Sequence, residues 1–185
     1  MALKPQDLLV VLKLWVGRGR IWNYQALAHE LAMSIAETHN AVKRARKANL
    51  LPAGELSGVP NLAALKEFLI HGAKYAFPAD IGQVTRGIPT AYAVAPLKDQ
   101  ILASDDLPPV WPHRDGTERG ISVEPLYKSA PDAALKDPAL YELLALFDAL
   151  RMGRARERQM ATVFIEEHLK RFSPTWDMFT APSGV

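Results

Sequence analysis

The chain has 185 residues, 49% of them apolar, no cysteine and a formal net charge of +2. That length supports one good core, or a small N-terminal module with a larger extension, and the composition excludes a disordered chain. The lack of cysteine excludes disulfide scaffolds, thiol nucleophiles and cysteine-ligated zinc, and fits a reducing cytoplasm.

Near the start, Leu8 to Val16 is apolar but holds Lys13 and has no small-residue cleavage pattern, so it reads as a helix and not as an export signal. No segment reaches membrane-spanning length. Pro5 suits a first helical turn and Asp7 complements the positive helix end. Leu8, Leu9, Leu12 and Trp15 or Val16 recur at helical spacing, and Gly17 and Gly19 end the run. Asn23 is a good N-cap for a second helix from Tyr24, with Leu27, Ala28 and Leu31 as its apolar stripe. A tight turn at Met33-Ser34 follows. Ser34 caps a third helix, and Glu37 three residues on makes a capping box. Ile35, Thr38, Val42 and Ala45 form its inward face, leaving Glu37, His39, Asn40, Lys43, Arg44 and Lys47 outward. Asn49 suits the left-handed position beyond the helix end, and Leu50 and Leu51 return to the core.

Those residues carry a resemblance. Leu27-Ala28-His29-Glu30-Leu31, Ser34, Val42, Lys43-Arg44-Ala45 and Asn49-Leu50-Leu51 resemble the helix-turn-helix of winged-helix transcriptional regulators of the broad MarR-like kind. The likeness is confined to the N-terminal third. Thr38 and Ala45 stand where that family commonly has larger apolar residues, and Asn49 where it commonly has Gly. The resemblance implies a recognition helix, residues 34–49, laid in the DNA major groove. Gln25, Ser34, Ala36, Glu37, His39, Asn40, Lys43, Arg44 and Lys47 are the expected contact residues. Lys43 and Arg44 suit guanine or phosphate and Asn40 suits adenine, while Arg18, Arg20, Arg46 and Lys47 suit phosphates. Residues 1–51 hold eight basic and three acidic side chains, so positive charge concentrates around the motif. A charged helix face is also commonly just solvated.

Residues 52–60 are turn-rich and too short to show the two strands of a wing. Asn61 caps a helix running to His71, with Leu62, Leu65, Phe68 and Leu69 inward and Gly72 as terminator. From Lys74 to Pro138 prolines exclude long helices. Two stretches there are alike: 86–97 and 119–126 each read Arg-Gly-Ile, an extended run, then Pro-Leu. They suit two short strands that pair; alternatively, Arg86 and Arg119 are twin anion contacts. Residues 104–106 and 108–112 read as an extended surface loop, in which Trp111 either pins the loop to the body or offers a partner contact. After Pro138 helical order returns, with Leu140, Leu143, Leu144, Phe147 and Leu150 on one helix and Met160, Val163, Phe164 and Leu169 on the next. Arg151, Arg154, Arg156 and Arg158 could clamp phosphates or an acidic partner, although residues 136–172 hold six acidic and seven basic side chains and can satisfy the cluster internally. Trp176 and Phe179 in the tail suit docking onto a subunit.

The expected fold is therefore mainly α (α+β): a helix-turn-helix, winged-helix-like domain over 1–73, a Pro-rich segment with short strands over 74–138, and C-terminal helices with a tail over 139–185. No catalytic constellation is present. His29 and Glu30 lack the second His of a zinc-protease motif, and neither a phosphate loop nor a nucleophile elbow occurs. We expect no enzyme, metal or cofactor. The expected function is a cytoplasmic, homodimeric, sequence-specific regulator of transcription, a repressor, bound to double-stranded DNA. The competing expectation is a protein-interaction subunit, antitoxin-like, covering a second protein with residues 74–185.

Overall fold

The computed structural model describes residues 2–54, 56, 59–101 and 106–170. Three helices open the chain. Pro5 starts α1 (Pro5–Val16), and the Asp7 carboxylate accepts the Lys4 N–H at 2.8 Å, closing the first turn. Leu8 to Leu12, Leu14 and Trp15 are buried all round, so α1 is a core helix rather than a surface one. Asn23 caps α2 (Tyr24–Glu30) by accepting the Ala26 N–H at 2.7 Å. Its end is a left-handed turn at Ala32 (φ 50°), with the Met33 N–H on the Ala28 carbonyl. Ala stands there where Gly is usual, a small backbone strain. Ser34 caps α3 (Ile35–Lys47) through the Glu37 N–H at 3.2 Å. Asn49 takes φ 57° just past its end, as expected.

The expected terminator Gly72 does not end the next helix. After α4 (Leu62–Glu67), a π-helical turn Phe68–Gly72 carries the chain into α5 (Ala73–Ala76). Leu65 and Leu69 are buried, and the Phe68 and Phe77 rings meet edge-on at 6.0 Å.

The two Arg-Gly-Ile segments do pair, within a closed three-stranded arrangement. β1 (Ile81–Pro89) runs antiparallel to both β2 (Pro109–Pro112) and β3 (Glu118–Val123), and β2 lies parallel to β3. In the β1–β3 register, Thr85 opposes Gly120 and Arg86 opposes Arg119. The glycine of each repeat has a steric reason: a Cβ at Gly87 would stand 2.1 Å from the Trp111 carbonyl oxygen, and one at Gly120 would stand 2.0 Å from that of Pro108. Only glycine lets β2 approach both partners so closely. The first repeat leaves the sheet early, since Thr90 onward forms a 3₁₀ turn Ala91–Ala93. The expected surface loop over 108–112 is β2 instead, with Val110 and Trp111 buried.

Three helices end the described residues: α6 (Ala130–Lys136), α7 (Pro138–Met152) and α8 (Ala155–Lys170). All five apolar residues expected inward on α7 are buried. On α8 the buried stripe is Ala161, Ile165 and Leu169, while Val163 is exposed; spacing by four carries that stripe, and Val163 lies off it. The fold is thus mixed α/β, mostly helical, with a small sheet and a helical C-terminal part. One apolar cluster runs from Leu8 on α1 through Trp111 on β2 to Ile165 on α8. Among the described residues no helix is long and apolar enough to cross a membrane.

Candidate nucleic-acid interface

The α3 helix has two unlike faces. Thr38, Ala41, Val42 and Ala45 are buried, packed against α1 and α2. The Thr38 hydroxyl is satisfied by the Ser34 carbonyl at 2.9 Å, so a polar residue is tolerated on the apolar side. Ala36, His39, Asn40, Lys43 and Lys47 are exposed. At 100° per residue these five fall within one stripe opposite the buried face, and at 1.5 Å rise they span roughly 17 Å of helix. Lys43 and Lys47 make no ion pair among the described residues. His39 is oriented by the Tyr24 ring, centroids 5.0 Å apart. Gln25 on α2 and Ser34 at the turn are exposed beside the stripe.

Three sequence expectations for this face are corrected. Arg44 does not face outward: its Nε donates to Asp7 Oδ2 at 2.7 Å and its Nη2 to Oδ1 at 2.6 Å, with the arginine side chain 9% exposed and Asp7 fully buried. A carboxylate so buried requires a cation, and Arg44, on the flank of the stripe, is the one in reach. Glu37 forms only half of the capping box, because its carboxylate accepts the Tyr127 hydroxyl. Burial, then the Glu37 hydrogen bond and charge, push the Tyr127 pKa up to about 12. Ile35, expected inward, is 53% exposed; Ala41 completes the buried stripe in its place.

The charge surplus around α3 is also partly absorbed. Lys13 is buried between Glu30 Oε2 at 2.6 Å and Asp137 Oδ2 at 2.7 Å. Arg20 pairs with Glu30 at 2.6 Å and lies over the Trp22 ring. Arg46 donates to the Pro52 and Gly54 carbonyls, and Arg18 to that of Trp15. These donors brace the loops around the motif. The sequence signal missed here was the acidic partner far away in the chain, as with Asp7 and Asp137.

The arginines of 151–158 do not converge on one point. Arg151 is sealed, its side chain 2% exposed, on Asp148 at 2.5 Å and on the Glu124 carbonyl at 2.8 Å. Arg158 donates to the Gly153 carbonyl at 2.9 Å. Arg154 and Arg156 are exposed beside a cleft of about 690 Å³ that Tyr92, Lys98 and Met152 also line. Trp111 serves the body rather than a partner, as its indole N–H donates to Asp148 at 2.6 Å. Trp176 and Phe179 lie outside the described residues. Among the described residues no group of His, Asp or Glu converges as a metal site would. No family model matches the chain, and no curated protein or solved structure matches it.

Proposed function

We propose that the protein is a sequence-specific DNA-binding regulator, a homodimeric repressor, in which α2, the turn and α3 act as a helix-turn-helix with α3 as its reading helix. The observation that carries this reading is the exposed stripe Ala36, His39, Asn40, Lys43 and Lys47, backed by a rigidly packed opposite face. Its width suits a major groove about 12 Å across, and its residue types suit base edges and phosphates. Asn40 and His39, nearer the helix start, read bases; Lys43 and Lys47 supply charge. Arg44 and Glu37 drop out of the reading set, while Gln25 and Ser34 flank it. In a homodimer, two such helices address half-sites about 34 Å apart.

The test is a gel shift against genomic fragments over a salt series. Lys43→Ala with Lys47→Ala reduces the salt slope by about two, whereas Asn40→Ala relaxes the choice of fragment. Unchanged affinity and salt dependence in the lysine pair would sink the assignment.

A second reading, a subunit that covers another protein through residues 74–185, draws on one observation. Tyr75, Ile81 and Val84 are 77%, 60% and 41% exposed at the start of that segment. Co-purification of a stoichiometric second protein, lost in Tyr75→Ser with Ile81→Thr, distinguishes it.

A further inference from the structure

The arginines of the two repeats form an arrangement that the DNA reading does not use. Arg86 and Arg119 are direct cross-strand partners in the antiparallel β1–β3 register, and both are exposed. Partners of this kind share one face of the sheet with Cβ atoms roughly 5 Å apart, and like charges so placed destabilise the pair. Neither guanidinium has an acidic partner among the described residues. Arg86 is nonetheless held in place, its Nε donating to the Gly116 carbonyl at 2.6 Å, which leaves its terminal nitrogens uncommitted. The turn supplying that carbonyl is pressed onto β1: a Cβ at Gly116 would fall 2.4 Å from the Gly87 Cα, and the Gly116 N–H closes on the His113 carbonyl at 3.0 Å. A groove of about 330 Å³ opens at this point, lined by Thr85, Arg86, Thr117, Glu118 and Arg119.

We propose that this groove binds the phosphate group of a small phosphorylated molecule. Two guanidinium groups rooted on one register pair converge on a single doubly charged group, where a nucleic-acid track would string its cations along the surface. The Thr117 hydroxyl, two residues along from Arg119, adds a donor at the rim of that groove. Bound dianion removes the repulsion that the empty pair carries, so ligand and fold stability are linked.

Thermal unfolding of the full chain tests this, with inorganic phosphate and then glycerol 3-phosphate set against sodium chloride at equal ionic strength. The wild type gains a saturable rise in Tm with either phosphate, about 5–10 °C at a hundredfold excess over Kd. Arg119→Ala unfolds at or above the wild-type Tm in chloride, since a like-charge contact is gone, and shows no phosphate response; Arg119→Lys retains a weakened one. Wild-type Tm that follows ionic strength alone, or a full phosphate response in Arg119→Ala, overturns the proposal. Duplex DNA provides an independent arm: Arg119→Ala keeps wild-type affinity for it. Lost DNA affinity without any phosphate response would make the pair a backbone contact and overturn the small-molecule site while leaving the α3 reading standing.

Discussion

Arg44 and Asp7, 37 residues apart in the chain, meet in a two-pronged ion pair that ties α3 to α1. Asp7 is fully buried, whereas the Arg44 side chain keeps a 9% exposed edge. Their losses are therefore unequal. Without Asp7, the arginine can swing to water; without Arg44, the carboxylate stays sealed with the Lys4 N–H as its remaining partner. Arg44→Ala should cost about 3–5 kcal/mol of unfolding free energy, and Asp7→Asn less, with a coupling energy of the same sign in the double-mutant cycle. Urea denaturation measures both; an Arg44→Ala protein as stable as wild type would show that the pair contributes nothing. For the proposed reading of α3 the consequence is practical: an Arg44 variant mixes lost stability with any lost DNA binding, so Lys43 and Lys47 are the informative positions.

Asp148 organises the opposite side of the molecule. Its Oδ2 accepts the Thr90 hydroxyl at 2.7 Å and the Trp111 indole N–H at 2.6 Å, and its Oδ1 accepts Arg151. One carboxylate thereby joins α7 to the end of β1 and to β2. Removing it strands the buried Thr90 hydroxyl and Trp111 indole N–H and leaves the Arg151 guanidinium with backbone carbonyls alone, so Asp148→Ala should cost about 3–5 kcal/mol. Thr90→Val removes a single bond to a charged acceptor and should cost about 1.5–3 kcal/mol. A Thr90→Val loss equal to that of Asp148→Ala would contradict the hub.

Much of this architecture is legible locally and some is not. Asn23, Ser34 and Asn61 cap the helices expected of them, because capping joins a side chain to N–H groups within three residues. The Arg-Gly-Ile repeat announces two strands for a similar reason, since strand propensity is short-range, while their register, Arg86 on Arg119, joins residues far apart in the chain. Arg44 and Trp111 face inward for partners 37 residues away, Asp7 and Asp148, and Arg151 is sealed by the distant Glu124 carbonyl as well as by Asp148 one turn back. A basic residue on a helix reads as solvated until its buried carboxylate is placed. The π-helical turn at Phe68–Gly72 was hidden too, because Gly72 looks like a stop when the packing of Phe68 and Leu69 is unknown.

Acid should loosen the joint between α1, α2 and α7. Burial alone would raise the Glu30 and Asp137 pKa values, but hydrogen bonds from Lys13, with Arg20 at Glu30 and the Leu140 and Ala139 N–H groups at Asp137, hold both below their ordinary 4.5 and 3.8. Groups with depressed folded pKa values contribute stability that is present above the unfolded pKa and lost as pH falls through the folded one. Tm should therefore be flat above the ordinary carboxylate range and fall steadily below it. Lys13→Met lowers Tm at neutral pH and flattens that acid limb; a limb of unchanged steepness would show that other carboxylates dominate.

At the alkaline end the contact between Tyr127 and Glu37 sets the behaviour. The Tyr127 hydroxyl donates to the Glu37 carboxylate, fastening the first turn of α3 to the segment before α6. Burial first, then that carboxylate, raise the phenol from 10.0 to about 12, and burial raises Tyr141 to about 12 as well. A raised folded pKa means that the folded state grips the proton harder. The stability this brings is complete below pH 10 and is lost as pH rises through 10 towards 12. Tyr127→Phe should remove one late-ionising phenolate from the absorbance titration, keep the Tyr141 one, and shallow the alkaline loss of stability. It also releases the Glu37 carboxylate beside the exposed stripe of α3, where its charge would repel a phosphate backbone. If the stripe reads DNA, Tyr127→Phe weakens that binding at neutral pH, and Glu37→Gln in the same chain restores it. A Tyr127→Phe protein with full DNA affinity and an unchanged late phenolate step would place Tyr127 outside both roles.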